Sequence, residues 1–260
     1  MPGPNMITPP NLMCQIGLPD GPIIVDVRIA EDIAPEDRTV ATAILHDFND
    51  INGFLDRLSG RKTVVMCYKG LKLSQGIAAL ILANGGTAEV LTGGFVGWNE
   101  AGLPTLPIGL IPQSGRWVTR QTPKIDRIAR PWLIKRFIDR DAKVMFVPRA
   151  DVPAVADRFD AIPFDAPDAP YGHNGENCSF DALLDAFGLR TEALNRMSDI
   201  IRAADTNNYN NDPQAAGLLA ISVGLSKMSR DDNAMLDAGL TLYDALYRWA
   251  RDGFDEGHAE

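Results

Sequence analysis

Three short aliphatic runs, separated by stretches with helical spacing, restrict the N-terminal part of this chain to one kind of architecture. The runs are residues 22–27 (PIIVDV), 62–66 (KTVVM) and 88–91 (AEVL). They are short, largely apolar and rich in β-branched residues, as strands buried on both faces of a parallel sheet are. Between them, residues 51–58 are amphipathic, and residues 73–84 (LSQGIAALILAN) place apolar side chains at helical spacing. Gly85-Gly86 follows directly and stops that helix. Strands alternating with helices predict an α/β domain built on a parallel sheet.

The pattern changes after a seam at residues 103–115 (LPTLPIGLIPQSG), which carries three prolines and two glycines. Such composition is that of a linker. The predicted organisation is a domain over 1–105, a linker over 106–115 and a second domain over 116–255. In the second part, residues 125–138 read as a helix with Ile128, Trp132, Leu133 and Phe137 as its apolar positions, and 143–147 (KVMFV) as a strand. Helical stretches follow near 180–187, 191–204, 213–228 and 231–251, with Thr191 and Asp231 as N-terminal ends. This half is predicted to be mainly α with a few strands, an α+β arrangement. Its most apolar segment, 215–225, is far shorter than the roughly 18 residues of a membrane span and reads as a buried core helix.

Composition removes several function classes. The chain has 260 residues, 25 basic against 34 acidic, and a net charge of -9. An acidic chain lacks the positive footprint of non-specific nucleic-acid binding. The first ten residues show neither a basic nor an apolar targeting region, and no membrane segment is expected. Cys14, Cys67 and Cys178 are too few and too scattered for a disulfide framework, so the expected location is a reducing cytoplasm.

The chemistry concentrates at Cys67. It closes a hydrophobic strand and opens the loop Cys67-Tyr68-Lys69-Gly70-Leu71-Lys72, which runs into a helix. That order aims backbone N–H groups and a helix N-terminus at one point, where a thiolate is stabilised and its pKa falls. Lys69 and Lys72 add positive charge, and Gly70 permits a tight turn. The bland alternative is a small apolar residue at the end of a core strand. With Asp26-Val27-Arg28, Ala78-Ala79 and the run Leu91-Thr92-Gly93-Gly94-Phe95-Val96-Gly97-Trp98, the loop resembles the rhodanese (sulfurtransferase) family over roughly residues 21–105. The resemblance implies that Cys67 takes a sulfane sulfur from thiosulfate or another donor and passes it to a thiol or protein acceptor, with no cofactor. It implies that the N–H groups of Tyr68 to Leu73 hold the thiolate and the persulfide. Asp26 and Arg28 are expected to support the loop as an internal ion pair or turn anchor rather than to act directly in catalysis. Lys72 stands where many members have Arg, and Leu73 where Ser or Thr is common, so one hydroxyl donor is expected to be missing. Phosphatases on the same fold need Arg six positions after the cysteine; that position is Leu73.

Residues from Trp117 to Trp249 resemble the C-terminal domain of the bacterial chromate-resistance protein B family. The resemblance rests on Lys124-Ile125-Asp126-Arg127-Ile128-Ala129, Pro131 to Phe137, Gly172-His173, Cys178-Ser179-Phe180-Asp181, Ala204-Asp205-Thr206 and Gln214 to Ala220. His173, Cys178, Asp126 and Asp205 are candidate ligands for Zn or Fe, although no two show a spacing of the CxxC or HExxH kind. They read equally as a loop hydrogen-bonder, a helix-start residue, an N-cap and a loop residue. Lys124, Arg127 and Arg130 recur at spacings of three, which predicts one basic helical side suited to an oxyanion such as chromate, sulfate or phosphate, or a solvated charged face. The expected function is a sulfurtransferase fused to a chromate-resistance-type module. The alternative is a non-catalytic sensor of chromate or metal.

Overall fold

The computed structural model describes residues 5–58, 60–165, 169, 171 and 179–256. The chain divides into two compact units, one within 5–110 together with 136–138, the other over the rest.

The first unit runs β1 (Met6–Ile7), α1 (Pro9–Met13), β2 (Ile23–Asp26), α2 (Ala30–Ile33), β3 (Arg38–Val40), β4 (Ile44–Leu45), α3 (Ile51–Leu58), β5 (Lys62–Met66), α4 (Lys72–Ala83), β6 (Thr87–Leu91), α5 (Gly94–Glu100) and β7 (Thr105–Pro107). Five strands form one sheet in the order β1-β6-β5-β2-β4, and every pairing is parallel. All four residues of β2 are buried, as are the last four of β5, which is why these runs are aliphatic rather than alternating. Val25, Val65 and Val90 pack in one core with Phe54, Leu58, Ile77 and Ile81 from α3 and α4. Residues 105–107, at the front of the Pro/Gly-rich seam, pair antiparallel with β3.

In the second unit, β8 (Arg116–Arg120) lies between β9 (Lys143–Val147) and β10 (Ile162–Pro163), again all parallel. Between β8 and β9 lies α6 (Asp126–Leu133), continued by a π-helical turn over Ile134–Ile138. The next helix, α7 (Val152–Phe159), places Val152 against Val118. The remainder is helical: α8 (Ser179–Phe187), α9 (Glu192–Asp205), α10 (Ala215–Met228) and α11 (Asp232–Arg248). The Thr191 side chain accepts from the Leu194 amide, and Asp231 from those of Asn233 and Ala234, so both cap their helices.

The expectation that 215–225 is a buried core helix is wrong. Only Ala215, Leu218 and Ser222 of α10 are buried, whereas Ile221, Val223 and Met228 are exposed. Apolar residues occupy every side of this helix, so hydropathy states its character without stating which side is covered. Among the described residues no helix is long and apolar enough to cross a membrane.

Candidate functional site: the Cys67 loop

From β2 the chain moves outward to β4, while from β5 it moves the other way to β6. The loops leaving these neighbouring strands at the carboxyl end of the sheet therefore diverge, the place where such sheets bind their ligands. Cys67 sits there, directly after β5, buried at 6% exposure. A cavity of about 440 Å³ opens one strand further along, at the ends of β2 and β4, lined by Arg28, Ile29, Leu45, His46 and Phe48 among others.

Two glycines bring the loop into shape. The Phe95 amide donates to the Cys67 carbonyl and the Val96 amide to that of Tyr68, both at 3.0 Å. The first turn of α5 thereby pins the cysteine loop by its backbone. Such proximity leaves no space for side chains at the crossing. A Cβ on Gly94 (φ +59°) would run into the Cys67 carbonyl oxygen and the Gly70 amide nitrogen, and one on Gly70 (φ +68°) into the Leu91 carbonyl. Gly94→Ala is expected to destabilise this unit by about 1–3 kcal/mol, read by hydrogen exchange at its sheet amides, through overpacking and a strained φ. Gly76→Ala is the control. Nothing lies within 4 Å of a Cβ at that position, in the interior of α4. That change is expected to stabilise by about 0.5–1 kcal/mol.

The hydroxyl expected to be missing at Leu73 is present one position further on. Ser74 is fully buried in the first turn of α4, with its Oγ 3.2 Å from Cys67 Sγ and 3.1 Å from the Leu71 carbonyl oxygen. Burial pushes the Cys67 thiol up, but the Ser74 hydroxyl and backbone hydrogen bonds from Ser74, Leu71 and Lys69 outweigh it, and the pKa lies below the ordinary thiol value. The folded chain thus holds fewer protons than the unfolded chain between the two pKa values. Cys67 contributes stability that is complete above the unfolded value and lost as pH falls through the folded one. In iodoacetamide alkylation, the midpoint of the rate–pH profile is expected below that of a free cysteine. A midpoint at or above it would remove the thiolate cradle. Tyr68, Lys69, Leu71 and Lys72 are exposed around the loop, Leu73 is half-buried and Gly70 is buried.

Asp26 and Arg28 form a fully buried ion pair at 2.7 Å beside this loop. Arg28 Nε donates to both Asp26 oxygens at 3.0 Å, and Arg28 Nη2 donates to the Arg38 carbonyl at 2.6 Å. The Thr39 hydroxyl donates to Asp26 at 2.8 Å. The guanidinium carbon lies 3.8 Å from the centroid of the Phe95 ring, whose backbone amide holds Cys67. Thr39, from β3, is a part of this support that no local sequence pattern singles out; Phe95 stands in the 91–98 run, but its part in holding Arg28 appears only in the folded chain.

In the second unit, the expected one-sided basic face does not form. Ile125 takes φ +31° and α6 starts at Asp126, so Lys124 precedes the helix. Arg127 pairs with Asp165 at 3.3 Å and donates to the Gln121 carbonyl at 2.7 Å. Arg120 reaches the same Asp165 oxygen at 3.1 Å. Arg130 is fully buried, bonded to the Tyr171 carbonyl, with Phe164 beneath its guanidinium. Asp126 is buried at the first position of α6 rather than at the N-cap, and Asp205 ends α9. Burial and Arg120 depress the Arg127 pKa, while Asp165, Asp205 and Asp126 raise it. The two acids named as metal ligands therefore act on one arginine. His173 and Cys178 lie outside the described residues. Among the described residues no cluster of three or more His, Cys, Asp and Glu could hold a metal.

Residues 117–250 match the family model for ChrB, C-terminal domain. Protein ChrB of Cupriavidus metallidurans is 36% identical over 138 residues, covering 52% of this chain and 40% of that protein. The match thus spans well under half of that relative's length. At the N-terminal part the structural neighbours are rhodanese-like. The thiosulfate sulfurtransferase from Pseudomonas aeruginosa is 27% identical, with 40% of this chain and 19% of that chain covered and a TM-score of 0.35. A rhodanese-like domain protein from Staphylococcus aureus is 27% identical, with 36% and 90% covered and a TM-score of 0.32.

Proposed function

The chain belongs to the ChrB C-terminal domain family through residues 117–250, and we propose that the unit in front of that domain is a sulfurtransferase with Cys67 as its sulfur carrier. The observation that carries this reading is the surrounding of Sγ: a buried thiol at the point where the sheet loops diverge, facing a buried hydroxyl and the amides of a tight loop. Preorganised donors of this kind stabilise negative charge on sulfur without reorganising during the reaction.

The chemistry follows from those groups. The Cys67 thiolate attacks the outer sulfur of a sulfane donor such as thiosulfate. The sulfur–sulfur bond of the donor breaks, and sulfite leaves with its electron pair. Cys67 is left as a persulfide whose outer sulfur bears the negative charge. An acceptor thiolate then attacks that outer sulfur. A new sulfur–sulfur bond forms on the acceptor, and the pair of the broken bond returns to Sγ. Lys69 and Lys72 supply point charges at the mouth of the loop, without the planar fork of an arginine.

The test is a mass measurement on the full chain after exposure to thiosulfate. A gain of one sulfur, mapped to the Cys67 peptide and discharged by a thiol, is expected. A protein that never gains sulfur at Cys67 from any sulfane donor would end this reading.

A further inference from the structure

Ser74 Oγ carries one proton and has two acceptors within reach, Cys67 Sγ at 3.2 Å and the Leu71 carbonyl oxygen at 3.1 Å. The two are not equivalent. The Leu71 carbonyl also accepts the Gln75 amide at 2.9 Å, wherever the hydroxyl points. Turning the hydroxyl toward sulfur therefore strands no buried acceptor, and the turn costs little. What decides its direction is the charge on Sγ. A thiolate draws the proton through a charge-assisted bond, roughly twice as strong as a neutral one. A thiol, or the inner sulfur of a persulfide, carries no such charge, and the carbonyl then holds the hydroxyl.

We infer that Ser74 is a catalytic residue of the sulfur-transfer reaction, with a two-position hydroxyl that pairs with Sγ only while Sγ is a thiolate and so serves chiefly the half-reaction in which that thiolate is the leaving group. This rests on the reading of Cys67 as sulfur carrier. The asymmetry follows from the nature of thiol exchange. In loading, Cys67 is the nucleophile. Removing the hydroxyl lowers the thiolate fraction but makes each remaining thiolate more nucleophilic, and the two effects partly cancel. In unloading, Cys67 leaves. A more basic leaving thiolate departs more slowly, and no gain offsets the loss.

The experiment uses the full chain in single turnover, with loading by thiosulfate and unloading to a small thiol followed separately, and with the alkylation–pH profile of Cys67 as an independent readout. For Ser74→Ala and Ser74→Gly the profile is expected to move upward by about one pH unit, a tenfold change in thiolate fraction. Loading below the midpoint is expected to fall roughly threefold and unloading by more than that, up to about tenfold, the full change in thiolate basicity. Ser74→Thr, which keeps a hydroxyl, is expected to recover the profile and the unloading rate together. An unmoved profile in both hydroxyl-free variants, or equal losses in the two half-reactions, would overturn the inference, because a merely structural serine slows both alike. Failure of the sulfurtransferase reading looks different. The wild type would then take no sulfur from thiosulfate, while the alkylation profile, and unloading of a persulfide made with polysulfide, would still report on Ser74.

Discussion

Cys67→Ser is expected to reduce sulfur loading from thiosulfate below detection, a loss of more than about a thousandfold, with the fold intact. The substitution replaces the one atom that must be both nucleophile and leaving group. A serine hydroxyl stays protonated at neutral pH and is a weak nucleophile unless an adjacent base activates it. The groups around this position are set up for an anion instead: the Ser74 hydroxyl and the backbone of Ser74, Leu71 and Lys69 all favour negative charge. The oxygen is smaller than the sulfur, so the buried site is not overfilled. The measurement is sulfite release in the presence of an acceptor thiol, with thermal unfolding as the check on folding. Cys14→Ser is the internal comparison: Cys14 is exposed and lies outside the loop, and its loss is expected to leave sulfite release unchanged. Undiminished release by Cys67→Ser would place the chemistry elsewhere.

The parts of the molecule that can be read from the sequence are those with a periodic or compositional signature longer than about four residues. The runs 22–27, 62–66 and 88–91 appear as Ile23–Asp26, Lys62–Met66 and Thr87–Leu91; β2 is buried throughout and β5 after Lys62, while β6 keeps an exposed Thr87 and a half-buried Glu89 among its buried residues. The helix 73–84 appears as Lys72–Ala83, bounded by the glycine pair that ends it. The two-residue edge strands β1 and β4 carry no period, and β3 and β7 find each other only across the chain. The cysteine loop is legible as strand, turn and helix. Its hydroxyl donor is misplaced by one residue, because the family pattern points to position 73 while the first turn of α4 brings Ser74 to the sulfur. The basic residues of the second unit look like a helix face when spacing is counted from Lys124, yet the helix begins only at Asp126, and Arg130 turns into the core. Spacing fixes a face only once the helix start is known.

Breaking the Asp26–Arg28 pair is expected to be the costliest single change in the N-terminal unit outside its apolar core. Both side chains are fully buried, so neither charge can recover its hydration when the other is removed. Losing one partner of such a pair costs about 3–5 kcal/mol, most of it the penalty on the charge left behind. Asp26→Ala leaves the guanidinium with the Arg38 carbonyl and the Phe95 ring, and leaves the Thr39 hydroxyl without its carboxylate. Arg28→Ala leaves the carboxylate with Thr39 and the Arg28 backbone amide. Each single variant is expected to lie in that range, and the double variant is expected to cost clearly less than their sum, since it strands no charge. Hydrogen exchange at the amides of β2 and β5 isolates this unit from the helical one, which a whole-chain unfolding curve would not. The functional consequence separates the two partners. Arg28 lies over Phe95, and the Phe95 amide holds the Cys67 carbonyl, so Arg28→Ala is expected to raise the midpoint of the Cys67 alkylation profile as well as loosen the sheet. Arg28→Lys is expected to restore part of the stability but not the midpoint, because an ammonium pairs with one carboxylate oxygen yet cannot also cover the ring and reach the Arg38 carbonyl. Single-variant losses that simply add in the double variant would mean that the pair is not coupled. The support of the cysteine loop would then have to come from the glycine crossing alone.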